Sequence, residues 1–145
     1  MPKPIIVLHG PNLNRLGLRE PEIYGSETLE DINARIVARG REAGFAVQCH
    51  QSNHEGVLID HLHAAADTAH GVIINPGGFT HTSVALRDAI AAIPIPVVEV
   101  HLSNIYAREE FRQKSLISGV CRAVVSGLGA QGYCAALDFL LDLSG

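Results

Sequence analysis

The residues Ile5-Ile6-Val7-Leu8 form an apolar run that no polar residue interrupts. A strand with one wet face alternates polar and apolar side chains, so an uninterrupted run predicts a strand that is covered on both faces. Strands of this kind occur in parallel sheets, which carry helices on either side. The run therefore predicts a parallel sheet.

Similar runs recur along the chain, and amphipathic helical patterns separate them. The further runs are Phe45-Ala46-Val47, Val72-Ile73-Ile74, Val97-Val98-Glu99-Val100 and Ala123-Val124-Val125. The helical patterns place apolar residues three or four positions apart, as in Leu58, Leu62 and Ala65. Five strands that alternate with at least four helices predict a doubly wound α/β fold. With 145 residues and no linker or low-complexity segment, the chain is expected to form a single domain over residues 1–145.

Composition and charge exclude several classes of function. Lys and Arg number 11 and Asp and Glu number 15, which gives a formal net charge of −4. A mildly acidic chain lacks the positive field that nucleic acids and anionic membranes require, so neither is an expected partner. The residues Met1-Pro2-Lys3-Pro4 lead directly into the first strand without a signal-peptide core. A cytoplasmic location is therefore expected.

Polar residues concentrate in three segments that each follow a predicted strand: residues 9–28, residues 75–78 and residues 101–118. The carboxyl ends of parallel strands meet at one edge of the sheet, where open α/β sheets bind ligands. The candidate site residues in and near these segments are Asn12, Asn14, Arg15, Arg19, Glu20, Tyr24, Asn75, His81, His101, Ser103, Asn104, Arg108 and Arg112. Arginines bind anionic groups, amides bind hydroxyls, and histidine and tyrosine exchange protons. This set therefore predicts acid–base chemistry on an anionic, hydroxylated substrate.

Two further patterns resemble cofactor or metal sites but are interpreted as structural. Residues 127–132 match GxGxxG, yet a dinucleotide motif opens the first βαβ unit and this one lies in the last. They are predicted to form a tight turn between a strand and a helix. His61 and His63 are two positions apart and so point to different sides of a helix, while His54-Glu55 lacks the second histidine of HExxH. Neither a cofactor nor a metal is expected.

Three motifs give the chain a family resemblance. They are His9-Gly-Pro-Asn-Leu-Asn-Arg-Leu-Gly-Leu-Arg-Glu-Pro-Glu-Ile-Tyr-Gly25, then Asn75-Pro-Gly-Gly-Phe-Thr-His-Thr-Ser83, then Glu99-Val-His-Leu-Ser-Asn104 followed by Arg108-Glu-Glu-Phe-Arg112. In this order, and over nearly the whole chain, they resemble type II 3-dehydroquinate dehydratase. The resemblance implies a flavodoxin-like sheet, a cofactor-free dehydration of 3-dehydroquinate to 3-dehydroshikimate, and a homododecamer built from trimers.

The same resemblance implies catalytic roles for five residues of these motifs. Tyr24 would be the base that removes a proton from the carbon next to the ketone, with Arg19 holding it as tyrosinate. Asn12 would bind a water that stabilises the enolate oxygen. His101, oriented by Glu99, would protonate the departing hydroxyl.

The resemblance also implies how the substrate is bound. The backbone N–H groups of Leu102 and Ser103, with the Ser103 hydroxyl, would hold the carboxylate. The side chains that would bind the ring hydroxyls are Asn75, His81 and Arg112. The resemblance further implies that Asp88 reaches the site from a neighbouring subunit. The 100° step of a helix places Asp88 away from the apolar face of its own helix, where an acidic residue is ordinarily a surface group.

One function of another class stays open, namely a flavin-binding electron carrier. The flavodoxin-like sheet that the resemblance implies binds flavin at the same edge. Little aromatic surface is present to cover an isoalloxazine ring, since the segments offer Tyr24, Phe79, Tyr106 and Phe111 and the chain has no Trp. A visible absorption spectrum would separate the two functions, because a bound flavin is yellow.

Overall fold

The computed structural model describes residues 2–18, 22 and 26–143. Its five strands are β1 (Ile5–His9), β2 (Val47–Gln51), β3 (Gly71–Asn75), β4 (Val97–His101) and β5 (Ala123–Ser126). All pairings between neighbouring strands are parallel, and the strand order is β2-β1-β3-β4-β5. This is the order of flavodoxin-like sheets. The predicted parallel α/β fold is confirmed.

Helices cover both faces of the sheet. Within the described residues they are α1 (Leu29–Glu42), α2 (Glu55–Thr68), α3 (Val84–Ala92) and α4 (Gln131–Asp142). Ile5 and Val7 of β1 pack in the core layer of α1 and α4, whereas Ile6 and Leu8 pack in the layer of α2 and α3. Every residue of β1 is buried, which explains its uninterrupted apolar run. None of the helices in the described part of the chain is long and apolar enough to cross a membrane.

The second strand begins at Val47, so its predicted start at Phe45 is wrong. The Phe45 N–H donates to the Gly40 carbonyl oxygen at 2.9 Å and closes the turn after α1 instead of pairing in the sheet. β2 then continues through Gln48, His50 and Gln51, which the apolar pattern does not include. A strand at the sheet edge is half-exposed and therefore accommodates polar residues more readily than a central strand.

Side-chain caps fix the starts of two helices. The Thr28 hydroxyl accepts from the Asp31 N–H at 3.2 Å, and the Asp31 carboxylate accepts from the Thr28 N–H at 3.1 Å, which forms a capping box at α1. The Ser83 hydroxyl accepts from the Leu86 N–H at 2.9 Å at α3. The cap at α3 defines the helix that carries Asp88.

β1 and β3 approach closely where their carboxyl ends meet the ligand-binding edge. The Gly10 N–H donates to the Asn75 carbonyl oxygen at 2.7 Å. A Cβ atom at Gly10 would lie 2.5 Å from the Pro76 carbonyl oxygen, closer than any real contact of this kind. Glycine is therefore required where the first and second polar segments touch.

Replacing Gly10 with alanine is expected to lower the free energy of unfolding by about 1–3 kcal/mol, the usual cost of forcing atoms into a packed region. Urea unfolding followed by circular dichroism measures the change. Gly56→Ala is the matched control, because a Cβ atom there meets no atom within 4 Å and Gly56 lies in α2. Gly56 is the second residue of that helix, so Gly56→Ala is expected to keep the free energy of unfolding within about 1 kcal/mol of the wild-type value. Wild-type stability in Gly10→Ala would contradict the close approach.

Candidate active site

The three polar segments meet around a cavity of about 170 Å³ at the carboxyl ends of β1, β3 and β4. The strand order reverses between β1 and β3, and such a switch point is where doubly wound sheets bind ligands. The lining residues come from all three segments: Pro11, Asn12, Leu13, Asn75, Gly77, Gly78, His81, His101, Leu102, Ser103, Ile105, Arg108 and Arg112. The edge inferred from the sequence is thus a real concave site.

Most of the site residues inferred from the resemblance lie at this cavity. Those that line it are Asn12, Asn75, His81, His101, Leu102, Ser103 and Arg112. Glu99 is fully buried and contacts His101. Asp88 is exposed on α3 and is absent from the lining of this cavity. Arg19 and Tyr24 lie outside the described residues.

Glu99 and His101 are two residues apart on β4, so their side chains project from the same face of the strand. The His101 Nε2 atom is hydrogen-bonded to the Glu99 carboxylate. A carboxylate only accepts, so Nε2 carries a hydrogen and Nδ1 is the ring atom that gains or loses a proton. His101 lines the cavity, and Glu99 therefore fixes the ring at the wall of the site.

Three hydroxyl groups surround the Glu99 carboxylate. The Thr80 hydroxyl donates to it at 2.8 Å and the Ser115 hydroxyl at 3.0 Å, and the Ser118 hydroxyl donates to its second oxygen. Burial alone would raise the pKa of Glu99, but the hydrogen bonds from His101, Ser118 and Thr80 outweigh burial and hold this pKa below its ordinary value. Glu99 is therefore an ionised carboxylate at neutral pH.

The roles of these hydroxyls are absent from the sequence-based inferences. Thr80 lies in the motif from Asn75 to Ser83, whereas Ser115 and Ser118 lie in none of the three motifs. The one sequence signal is Glu99 itself, a carboxylate within the apolar run of β4. A buried charge needs hydrogen-bond partners, but the sequence does not indicate which hydroxyls provide them.

His81 joins the second polar segment to the third. Its Nδ1 atom lies 2.7 Å from the Lys114 carbonyl oxygen. A carbonyl oxygen only accepts, so Nδ1 carries the hydrogen and Nε2 of the neutral ring is an acceptor. His81 can therefore accept a hydrogen bond from a ligand hydroxyl.

Two arginines line the cavity, and their Nε atoms lie 3.6 Å (Arg108) and 2.9 Å (Arg112) from the Glu109 carboxylate. Arg108 donates from Nη1 to the Ser103 hydroxyl at 3.3 Å, and Arg112 donates from Nε to the Glu109 carboxylate at 2.9 Å. Glu109 is outside the lining, and no carboxylate is among the described residues that line the cavity. Guanidinium groups without a lining carboxylate favour an anionic ligand.

Asn12 occupies an unusual backbone conformation at the cavity. Its φ of 70° makes it the one non-glycine residue with positive φ among those described, and asparagine adopts this conformation more readily than most residues. The Asn12 N–H donates to the Asn53 side-chain oxygen at 2.9 Å, which ties the turn to the segment after β2. The position of Asn12 in the site is therefore set by its backbone.

The glycine-rich stretch after β5 forms the predicted turn. Gly127 and Gly129 have φ values of 90° and 61°, and α4 begins at Gln131. The Gly129 N–H donates to the Leu102 carbonyl oxygen at 2.9 Å, so the turn supports the backbone of the site. Among the described residues, no group of three or more His, Cys, Asp or Glu side chains could hold a metal ion.

Comparison with known sequences identifies close relatives. The family model described as dehydroquinase class II matches residues 3–141. The 3-dehydroquinate dehydratase of Ruegeria pomeroyi is 57% identical over 136 residues, which cover 94% of this chain and 91% of that protein. The 3-dehydroquinate dehydratase 1 of Agrobacterium fabrum is 56% identical over 140 residues, which cover 97% of each.

Comparison with solved structures agrees with the comparison of sequences. The type II dehydroquinase from Propionibacterium acnes superposes with a TM-score of 0.94 at 45% identity and covers 98% of each chain. A 3-dehydroquinate dehydratase-like protein from Bifidobacterium longum superposes with a TM-score of 0.75 at 32% identity, covering 99% of this chain and 98% of that one. These relatives do not support the flavin-binding alternative. The matched motifs, the sheet and the relatives together show that this chain belongs to the dehydroquinase class II family.

Proposed function

We propose that the cavity converts 3-dehydroquinate to 3-dehydroshikimate and water, with His101 as the acid. The buried Glu99–His101 pair carries this proposal, because an ionised carboxylate there holds a histidine at the wall of a cavity that two arginines line. A histidine so placed can protonate a hydroxyl as it leaves. The arginines and amides beside it suit an anionic ring with several hydroxyls.

The elimination removes one proton and one hydroxyl from neighbouring carbons of the ring. A base takes the proton from the carbon next to the ketone, and the electron pair forms an enolate. The enolate then returns its electrons to form the ring double bond and expels the hydroxyl from the carbon that bears the carboxylate. His101 gives its Nδ1 proton to this hydroxyl, so water leaves. The reaction involves no net oxidation or reduction.

Tyr24 is the base in this proposal, and Arg19 holds it as tyrosinate. A free tyrosine has a pKa near 10, so a base active near neutrality needs its pKa lowered by about 3 units, or roughly 4 kcal/mol. One guanidinium about 4 Å from the phenolate supplies about that much at an effective dielectric near 20. Asn12 binds the water that stabilises the enolate oxygen from its fixed position at the cavity.

The carboxylate of the substrate is bound by the backbone N–H groups of Leu102 and Ser103 and by the Ser103 hydroxyl. The hydrogen bond from Arg108 to this hydroxyl supports the assignment, because it places a positive charge beside the carboxylate. The ring hydroxyls are bound by Asn75, His81 and Arg112. His81 accepts from a hydroxyl through Nε2, whereas Arg112 can only donate.

The proposal extends to assembly. Asp88 completes the site of a neighbouring subunit within a trimer, and four trimers form a homododecamer in the cytoplasm. The exposed position of Asp88 on α3 supports its part in this arrangement, since its carboxylate is open to a second chain. The described lining of the cavity also lacks an acidic residue of its own.

The direct test is to add 3-dehydroquinate to the purified protein and follow the ultraviolet absorbance of the conjugated enone. We expect the band to grow with the protein concentration and to be absent from a heat-denatured sample. If no enone forms under any condition, the proposed reaction is wrong.

Activity is expected to survive exhaustive chelation and to need no added cofactor. The elimination is redox-neutral, and side chains and backbone groups of the protein can supply the acid, the base and the groups that bind charge. Enone formation before and after dialysis against a chelator, with the metal content measured in parallel, tests this. Loss of activity that one specific metal restores would contradict it.

A further inference from the structure

A chain of hydrogen-bonded side chains runs from α1 through the core to the cavity residue Asn75. The Asn75 Nδ2 atom donates to the Tyr133 hydroxyl at 3.1 Å, and this hydroxyl lies 3.1 Å from His9 Nδ1. His9 Nε2 lies 2.7 Å from the Asn33 side-chain oxygen. His9 and Tyr133 are fully buried, and neither is among the residues that line the cavity.

The residues at the two ends of this hydrogen-bonded chain, Asn33 and Asn75, set the direction of every bond in it. The Asn33 oxygen only accepts, so the hydrogen of the His9 ring is on Nε2. Burial lowers the pKa of His9 to about 4 and outweighs the hydrogen bond that Nε2 donates to Asn33, so the ring is neutral at pH 7 and Nδ1 accepts. The Tyr133 hydroxyl therefore donates to His9, and its oxygen accepts from Asn75.

The Asn75 amide is fixed on its other side as well. Its oxygen accepts from the Gly77 N–H at 3.1 Å. A flipped amide would set its NH₂ group against the Gly77 N–H and its oxygen against Tyr133, whose hydrogen is already donated to His9. Both bonds would be lost, which is costly for a buried group. One Nδ2 hydrogen bonds Tyr133, and the second is left for a ligand.

We propose that Tyr133 is a positioning residue for substrate binding, supported from behind by His9. Together they hold Asn75 so that its amide donates to an oxygen of a ring hydroxyl in the cavity. The inference rests on the proposed function, because the ligand is the substrate of the proposed dehydration. Asn75 binds the substrate ring and takes no part in proton transfer. The hydrogen-bonded chain behind it therefore affects substrate binding more than turnover.

Tyr133→Phe removes the hydroxyl and keeps the ring. We expect KM to rise about tenfold, the loss of roughly one hydrogen bond, while kcat changes much less. Steady-state enone formation measures both constants. Tyr106→Phe is the matched control, because Tyr106 is exposed and lies outside this chain of hydrogen bonds, and its KM is expected to stay at the wild-type value. An unchanged KM in Tyr133→Phe would overturn the proposal.

A double-variant cycle separates positioning from general destabilisation. If Tyr133 acts through Asn75, Tyr133→Phe should change KM by less than about twofold in an Asn75→Ala background. Equal effects in both backgrounds would show that the hydroxyl acts elsewhere and would overturn the proposal. Thermal unfolding of the four proteins identifies any loss of folded enzyme.

Two variants of His9 keep the test valid if Tyr133→Phe does not fold. A glutamine can accept from Tyr133 and donate to Asn33, whereas a leucine can do neither. We expect His9→Gln to keep KM near the wild-type value and His9→Leu to raise it about tenfold, as Tyr133→Phe does. Equal KM values for the two variants would overturn the role of His9.

A spectroscopic measurement tests the hydrogen-bonded chain without an activity assay. The ¹⁵N chemical shifts of His9 at pH 7 should show a protonated Nε2 and an unprotonated Nδ1. Tyr133→Phe should change the Nδ1 shift, whereas Nε2 keeps its proton because it still donates to Asn33. A protonated Nδ1 in the wild type would overturn the inference. Wild-type protein that forms no enone but shows the expected tautomer would refute the proposed function and leave the hydrogen-bonded chain in place.

Discussion

Replacing His101 with alanine is expected to lower kcat for the dehydration about 10²–10⁴-fold, the usual contribution of a general acid. Without the imidazole, the hydroxyl must leave as hydroxide or take its proton from water, and the Glu99 carboxylate loses the group that it orients. Substrate affinity should change less, because the arginines and Asn75 still line the cavity. Steady-state enone formation gives kcat and KM separately.

The matched control for His101→Ala is His63→Ala. His63 is exposed on α2 and does not line the cavity, so its loss should leave both constants unchanged. Unfolding curves of the two variants should be compared, because removing His101 leaves a buried carboxylate without one partner. If folded His101→Ala keeps more than about a tenth of the wild-type kcat, a different group is the acid.

The fold could be predicted because its main signal is local. The run from Ile5 to Leu8 is apolar at every position because its alternate residues face two different helical layers. Both layers are buried hydrophobic core. The apolar pattern locates β2 poorly because this strand lies at the sheet edge, where polar residues are tolerated. The apolar runs thus locate the central strands well and the edge strand β2 poorly, while the other edge strand, β5, is located to within one residue.

The site could be predicted only in part, for a different physical reason. Residues such as Asn75 and His101 come directly at the ends of strands, so the topology alone brings them to one edge. The hydroxyls around Glu99 and the contact between His9 and Tyr133 depend on the packing of distant segments. His9 and Tyr133 are 124 positions apart, and no spacing rule connects them.

The motifs therefore predict the groups that bind the substrate, whereas the structure shows which side chains hold them. Glu99 could be inferred to orient His101, but its ionised state depends also on hydrogen bonds from Ser118 and Thr80, which the sequence does not mark. Supporting residues of this kind contribute through their partners. They are best found by following each buried polar atom to its partner.

A mixture of Tyr24→Phe and Asp88→Ala chains is expected to recover activity that neither variant has alone. Tyr24→Phe should lose about 10²–10⁴-fold in kcat, because phenylalanine cannot accept the proton. Asp88→Ala should be nearly inactive if each site borrows this carboxylate from its neighbour. In a cyclic trimer the head-to-tail contact repeats, so an equal random mixture should contain both groups in about a quarter of its sites. Enone formation after co-refolding measures the recovery.

The control for this recovery is a mixture of Tyr24→Phe with His101→Ala. Both groups belong to one chain's own site in the proposal, so no arrangement of these two chains completes a site, and the mixture should stay as inactive as its parents. Mass spectrometry of the intact assemblies must show that both mixtures contain hetero-oligomers. If the mixture of Tyr24→Phe with Asp88→Ala is hetero-oligomeric and still inactive, Asp88 acts within its own subunit or has a purely structural role. The exposed carboxylate on α3 would then have no part in a neighbouring site.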